Sequence, residues 1–304
     1  NSYSDAGQTQ KALKLREQVL DDCERLLGPD HPNTLTVRHN LAVSYIDAGR
    51  SQEALKLCER VLADRERLLG PDHPNTLSAR HNLANSYSDA GQTQKALKLR
   101  EQVLDDCERL LGPDHPDTLD ARHNLANSYR DAGRTQEAIE LFERVLADYE
   151  RLLGPDHPNT LNTRHNLAGS CSDAGRTQEA LELCERVLAD YERLLDPDHP
   201  NTLKARNSLA ISYSDAGRTQ EAIKLFERVL ADYQRLLDPD HPNTLLDRHN
   251  LANSYRDAGR TQEAFKLLER VLADYQRLLG PDHPDTLSAR SSLENLRDAE
   301  AEIH

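Results

Sequence analysis

The chain of 304 residues contains no methionine and no tryptophan, only three phenylalanines, and no proline outside one recurring tetrad. Apolar residues make up 37% of it and never run for 18 in a row, so no membrane-spanning helix is expected and no membrane partner. Nothing at its start resembles a signal peptide. The five cysteines, Cys23, Cys58, Cys107, Cys171 and Cys184, are odd in number and scattered in position. That argues against a disulfide framework and for packing thiols in a reducing, cytoplasmic setting. No CxxC element, glycine-rich phosphate loop or nucleophile-base pair occurs, so no enzyme, no cofactor and no metal is expected. The formal charge of −14 is spread over the whole length. A nucleic-acid partner would need a basic stripe instead. The missing methionine and a start partway through a repeating unit are what a fragment of a longer chain would show.

What is there is repetition. The stretch "GPDHPNTLTVRHN", Gly28 to Asn40, crowds Asp30, His31, Arg38 and His39 together as a catalytic centre would, yet its equivalents begin again at Gly70, Gly112 and Gly154. Pro-Asp-His-Pro starts at Pro29, Pro71, Pro113, Pro155, Pro197, Pro239 and Pro281, and these seven copies hold all 14 prolines. An enzyme needs one such site, not one every 42 residues. Residues Asn1 to Pro32 also recur letter for letter as Asn85 to Pro116, which points to duplication of a two-unit block. The expected organisation is a single array over 1–304. It has a partial first repeat (1–32), repeats starting near 33, 75, 117, 159, 201 and 243, and a C-terminal capping helix (285–304) that keeps Leu287 and Leu293 but never reaches a second helix.

One unit, Pro32 to Pro74, reads as two helices. In helix A, Leu35, Leu41, Ala42, Tyr45 and Ala48 share a face at period 3.6, with the stem of Arg38 filling the gap. Gly49 ends it as a residue free to take positive φ. Ser51 is placed to cap helix B, whose stripe is Ala54, Leu55, Cys58, Val61, Leu62, Leu68 and Leu69, ended by Gly70-Pro71. At 1.5 Å per residue the two helices are roughly 20 and 28 Å long. Each has one apolar stripe and must find its cover on the next unit. The fold class expected is therefore all-α, an α-solenoid superhelix of about seven helix-turn-helix repeats.

Arg38-x2-Leu41-Ala42-x2-Tyr45, Ala54-x3-Cys58 and a proline-ended second helix resemble the tetratricopeptide repeat, and the 42-residue period with "LGPDHP" and "NLAxSYxDAGRxQEA" is most similar to the kinesin light chain type. Arg38 stands where that pattern often has Trp, and Ala42 where it has Gly. The resemblance implies a scaffold that binds an extended peptide or protein segment on a concave face lined by the A helices. The rival expectation is a structural spacer or a solenoid associating head to tail.

His31, His73, His115, His157, His199, His241 and His283 precede a proline at a helix start and read as caps. The second histidine row is different. His39, His81, His123, His165 and His249 fall mid-helix, and with the following Asn40, Asn82, Asn124, Asn166 and Asn250 they form a ladder facing a groove. Three rows on that side vary most between units. They are Thr36, Ser78, Asp120, Asn162, Lys204 and Leu246; Val43, Asn85, Asn127, Gly169, Ile211 and Asn253; and Ile46, Ser88, Arg130, Ser172, Ser214 and Arg256. Candidate peptide-binding residues are thus the His-Asn ladder with Asn85, Asn127, Arg130, Lys204 and Asn253. Relatives that clamp a terminal carboxylate use Lys and Asn on adjacent A helices. Here the matching places hold His39, His81 or His123 and Val43, Asn85 or Asn127, so such a clamp is not expected there.

Overall fold

The computed structural model describes the backbone of residues 2–301 and their side chains except at 2–9, 47 and 298–301; the last residues of the expected cap, 302–304, lie outside it. Among the described residues every regular element is an α-helix. The A helices are α2 (Pro32–Asp47), α4 (Pro74–Asp89), α6 (Pro116–Asp131), α8 (Pro158–Asp173), α10 (Pro200–Asp215), α12 (Pro242–Asp257) and the capping α14 (Pro284–Ala301). The B helices are α3 (Ser51–Leu69), α5 (Thr93–Leu111), α7 (Thr135–Leu152), α9 (Thr177–Leu194), α11 (Thr219–Leu236) and α13 (Thr261–Leu278), and α1 (Ser2–Leu27) precedes them. They group into two compact units, 1–152 and 153–304.

Local chemistry sets the boundaries. His199 is the N-cap of α10, and its Nδ1 accepts the N–H of Asn201 at 3.1 Å; the same bond recurs at His31, His73, His115, His157, His241 and His283. The proline that follows occupies the first helical position, where a missing donor costs nothing. His199→Ala should therefore destabilise the second unit by about 1 kcal/mol, the usual worth of an N-cap. His199→Asn, which keeps an acceptor, should melt close to wild type in thermal denaturation. At the other end of helix A, Gly49 adopts φ +68°, its N–H bonds to Ile46 O at 2.9 Å and Arg50 N–H to Tyr45 O at 2.9 Å. This pair of bonds is a Schellman motif. Helix B starts one residue earlier than the Ser51 reading had it: Arg50 is the N-cap residue and no side chain caps the end, because the chain enters α3 directly from that motif.

Within the units, α4, α6, α10 and α12 each pack on the B helix of their own repeat and on the one before it. In the first unit Ala42, Leu55, Cys58 and Leu83 form one such layer. In the second, Leu161, Leu181, Cys184, Val187, Tyr191 and Leu209 form another. The expected stripe of helix B holds from Ala54 to Val61, but Leu68 and Leu69 are 38% and 40% exposed. They lie in the last turn, beyond Arg65, which closes the buried stripe. Leu287 is also exposed while Leu293 is buried. Its counterpart Leu245 packs on Val271 and Tyr275 of the B helix that follows it, and α14 has no such helix among the described residues. Apart from the capping α14, the A helices are 16 residues long, about 24 Å rather than 20.

Arg38 does more than fill a gap. It is fully buried, donating to Glu24 at 2.6 Å and to Asp64, so one guanidinium ties α2 to the B helices on either side. Arg122 does this with Glu108 and Asp148, both at 2.7 Å, and Arg206 with Glu192 at 2.9 Å and Asp232 at 3.1 Å. A planar fork suits two carboxylates at once, which Trp could not serve. On the outside, Asp30 receives Arg67 at 2.6 and 3.1 Å, and Asp72, Asp114, Asp198 and Asp240 receive Arg109, Arg151, Arg235 and Arg277 in turn. The arginine holds each of these carboxyls below the usual carboxylate range. The Asp-His pairs of the recurring tetrad are thus a clamp to the next B helix and a helix cap.

Candidate interaction surface

Some A helices of neighbouring repeats touch, α2 with α4 in the first unit and α8 with α10, α10 with α12 and α12 with α14 in the second. Within either unit, among the described residues, no B helix comes within 8 Å, Cα to Cα, of another B helix. The A side is therefore where side chains from neighbouring repeats converge. A hollow of about 400 Å³ lined by Leu230, Leu251, Tyr255 and Leu267 lies among α11, α12 and α13.

His39 and His249 lie in the seams between A helices, and none of the five mid-helix histidines is exposed. His39 is half-buried and its Nε2 accepts the amide of Asn82 on the next A helix at 3.2 Å, which is the expected ladder. His249 is only 7% exposed, 3.3 Å from Ser292 and edge-on to Tyr275. His123 stands edge-on to Phe142, ring centroids 5.5 Å apart. His165 is half-buried. Burial lowers the proton affinity of His39, His81, His123 and His249. For His81, Arg100 adds to the effect. These imidazoles are neutral near pH 7, as the bond from Asn82 to His39 requires. Among the described residues no three His, Cys, Asp or Glu converge on a point where a metal ion could sit.

In the sixth repeat the ladder is rebuilt. Asn207 replaces the histidine, and its amide donates at 2.5 Å to Asp247, which replaces the alanine, threonine or valine of sister helices and is fully buried. Burial pushes the Asp247 carboxyl up to about 7, against the pull of the Asn207 bond, and its Oδ2 has no partner.

The asparagines divide. Asn40 is exposed, and Asn82, Asn124, Asn166 and Asn250 are half-buried at the surface of the seam. Asn85 is engaged from below, its Oδ1 accepting Arg100 Nη2 at 2.8 Å. Asn127 donates to the His123 carbonyl at 3.2 Å, Asn253 accepts from Arg256 at 3.3 Å, and Arg130 is half-buried. Lys204 is exposed, as is every member of its row from Thr36 to Leu246. The structure thus gathers the expected residues on one side, with the histidines recessed and the variable row outermost. Sequence reasoning missed three things. One is the half-buried carboxylate partners of Arg38, signalled by Asp64 at a constant 26-residue spacing. The others are Arg100, hidden because its position reads as core, and the Asn207-Asp247 exchange, which compensates across two repeats.

The family model for the tetratricopeptide repeat matches residues 1–57, 39–105, 82–151, 123–183, 165–235, 209–276 and 248–301. Among solved structures, the nearly identical TPR-like repeats of a Podosopora anserina protein assigned as a kinesin light chain are 39% identical, with TM-score 0.58, over 67% of this chain and 97% of that one. BtubC (BKLC) from P. vanneervenii is 22% identical, with TM-score 0.62, over 77% and 94%. A tetratricopeptide repeat protein from Parabacteroides merdae is 16% identical, with TM-score 0.66, over 97% and 95%. The last two are likenesses of fold. No curated protein matches the chain in sequence.

Proposed function

The chain belongs to the tetratricopeptide repeat family, whose members mediate protein-protein interactions, and on that premise we propose that it binds an extended peptide or protein segment along the outer surface of its A helices. One observation carries the reading. The residues that differ most between repeats form a row, Thr36, Ser78, Asp120, Asn162, Lys204 and Leu246, that is exposed throughout, while the leucine preceding each is buried. Contacts there can change without disturbing the stack. The touching A helices support the same side, since they bring ligand-facing side chains of successive repeats within reach of one peptide. Asn124 and Asn250 would grip its backbone with paired amide bonds, and Ile211 and Leu246, 37% and 49% exposed, offer apolar contacts. The expected affinity is about micromolar, near −8 kcal/mol.

The test is peptide-display selection on the full chain, repeated on Asn124→Ala with Asn250→Ala. Neither side chain holds a residue of the scaffold, unlike Asn85. Selected peptides should bind the variant at least tenfold more weakly at unchanged helicity. Unchanged binding would move the site off this surface.

A further inference from the structure

From Arg38 to Arg248, the arginines of the Arg38 row each have a carboxylate at bonding distance. Two other arginines of the first unit, on B helices flanking α4, do not. Arg65 is 6% exposed and donates to the carbonyl of Asn75 at 2.6 Å. Arg100 is half-buried, and its guanidinium is served by Asn85 Oδ1 at 2.8 Å, the Asn124 carbonyl at 3.4 Å and the Ser128 hydroxyl. Its Nε is buried with no partner. All these acceptors are neutral. Burial lowers the proton affinity of both arginines, and for Arg100 the distant Asp89 and Asp131 only partly oppose it.

The scaffold does not ask for a cation at either place. In α1 the counterpart of Arg100 is Arg16, which is exposed, and that of Arg65 is Cys23, which is half-buried; in the other repeats the counterparts of Arg100 are Cys58, Phe142, Cys184, Phe226 and Leu268, and those of Arg65 are Cys107, Tyr149, Tyr191, Tyr233 and Tyr275, all buried. A buried charge held by neutral acceptors keeps most of its desolvation cost, and an arriving anion recovers it. Side chains at these positions also reach the A-helix surface. The Tyr149 hydroxyl donates to Asp120 of the exposed row at 2.7 Å, and Arg100 itself bonds Asn85 and Asn124, two residues of the candidate surface.

We propose that Arg100, rising between α4 and α6 beside Asn85 and Asn124, is a binding site for a carboxylate carried by the peptide that the A-helix surface takes up. The inference rests on the peptide-binding reading of that surface. The carboxylate accepts two N–H bonds from the guanidinium in place of Asn85 Oδ1, and the freed Asn85 amide turns to donate to it. Arg65, across α4, adds a second positive charge beneath the same surface. Neither residue lies on an A helix, so the site differs from a clamp built of Lys and Asn on adjacent A helices.

The experiment uses the full chain with 15N-labelled arginine. The Arg100 Nε–H resonance is identified by its loss in Arg100→Phe, a variant whose fold is secured by Phe142 and Phe226 at the equivalent places. Three acetylated pentapeptides are titrated to millimolar concentration: Gly-Gly-Ser-Gly-Gly with a free terminus, Gly-Gly-Glu-Gly-Gly amide and Gly-Gly-Gln-Gly-Gly amide. A saturable shift with either acid and none with the glutamine peptide is expected, and the acid that acts tells a terminal carboxylate from a side-chain one. Arg100→Phe should bind that acid at least tenfold more weakly by saturation-transfer NMR. No shift with either acid, or an equal shift with the glutamine peptide, overturns the site. If display-selected peptides bind Arg100→Phe unchanged and show no acidic preference, the carboxylate site falls while the peptide-binding reading stands.

Discussion

Asp247→Ala should stabilise the second unit by about 3 kcal/mol at pH 8 and destabilise it by about 1 kcal/mol at pH 4. The sign follows from the raised carboxyl. Asp247 titrates at about 7 in the folded chain. An unfolded Asp titrates near ~3.9, and each unit of difference is worth ~1.4 kcal/mol. Below pH ~4 both states hold the proton and the residue does no harm; between pH ~4 and 7 only the folded state holds it, so stability falls as pH rises and then levels off. Removing the side chain erases up to ~4 kcal/mol of that loss and forfeits about 1 for the bond from Asn207. The groups facing Asp247 fit this sign. Asn207 is neutral, and Tyr233 on α11 is itself pushed up to about 12 by burial and by Asp247. Hydrogen exchange of the amides of α10 and α12, corrected for intrinsic rates, should show the variant better protected at pH 8 and slightly less protected than wild type at pH 4. A variant no better protected than wild type at pH 8 would mean that Asp247 is not held protonated.

Arg206→Ala should cost the same unit about 3 kcal/mol. The guanidinium is 1% exposed and bridges α10 to Glu192 on α9 and Asp232 on α11, so its loss opens a cavity and strands two carboxylates. Breaking a buried pair by removing one partner costs ~3–5 kcal/mol, and the partial exposure of Asp232 and Glu192 places this case at the low end. Arg206→Lys should recover less than half, because one ammonium cannot fork between two helices. Arg206→Met combined with Asp232→Leu should recover more than Lys does, since an apolar replacement strands less charge. Urea unfolding with exchange read separately on α9 to α11 checks this, array proteins being poorly described by a single two-state transition. A loss below 1 kcal/mol for Arg206→Ala would show that the bridge only orients the helices.

Much of the fold is legible in the letters because each unit repeats its instructions. The spacing of Leu35, Leu41 and Ala42 places helix A, Gly49 and Gly70 end the helices, and His31 before Pro32 starts one. The candidate surface was legible for a related reason, as differences between repeats mark positions that stacking leaves free. Burial of polar groups was not legible. Nothing in the immediate neighbourhood of Arg38, Arg100 or Asp247 announces that its partners sit on other helices, 26, 15 and 40 residues away.

The sequence by itself determined the helix boundaries, the period and the stripes that must be covered, because capping, positive φ and apolar spacing act over a few residues. Only the tertiary structure decided what identical letters do. Asn85 to Pro116 ends α4 and turns at Gly91 before α5 begins, whereas the same letters at the start of the chain run as one helix, α1, through Gly7. Arg100 is half-buried under α4 and α6, while Arg16, its exact counterpart in sequence, is exposed. The physical reason is that a turn or a buried charge is settled by the neighbours packed on both sides, and α5 has an A helix on each side where, among the described residues, α1 packs on α2 alone.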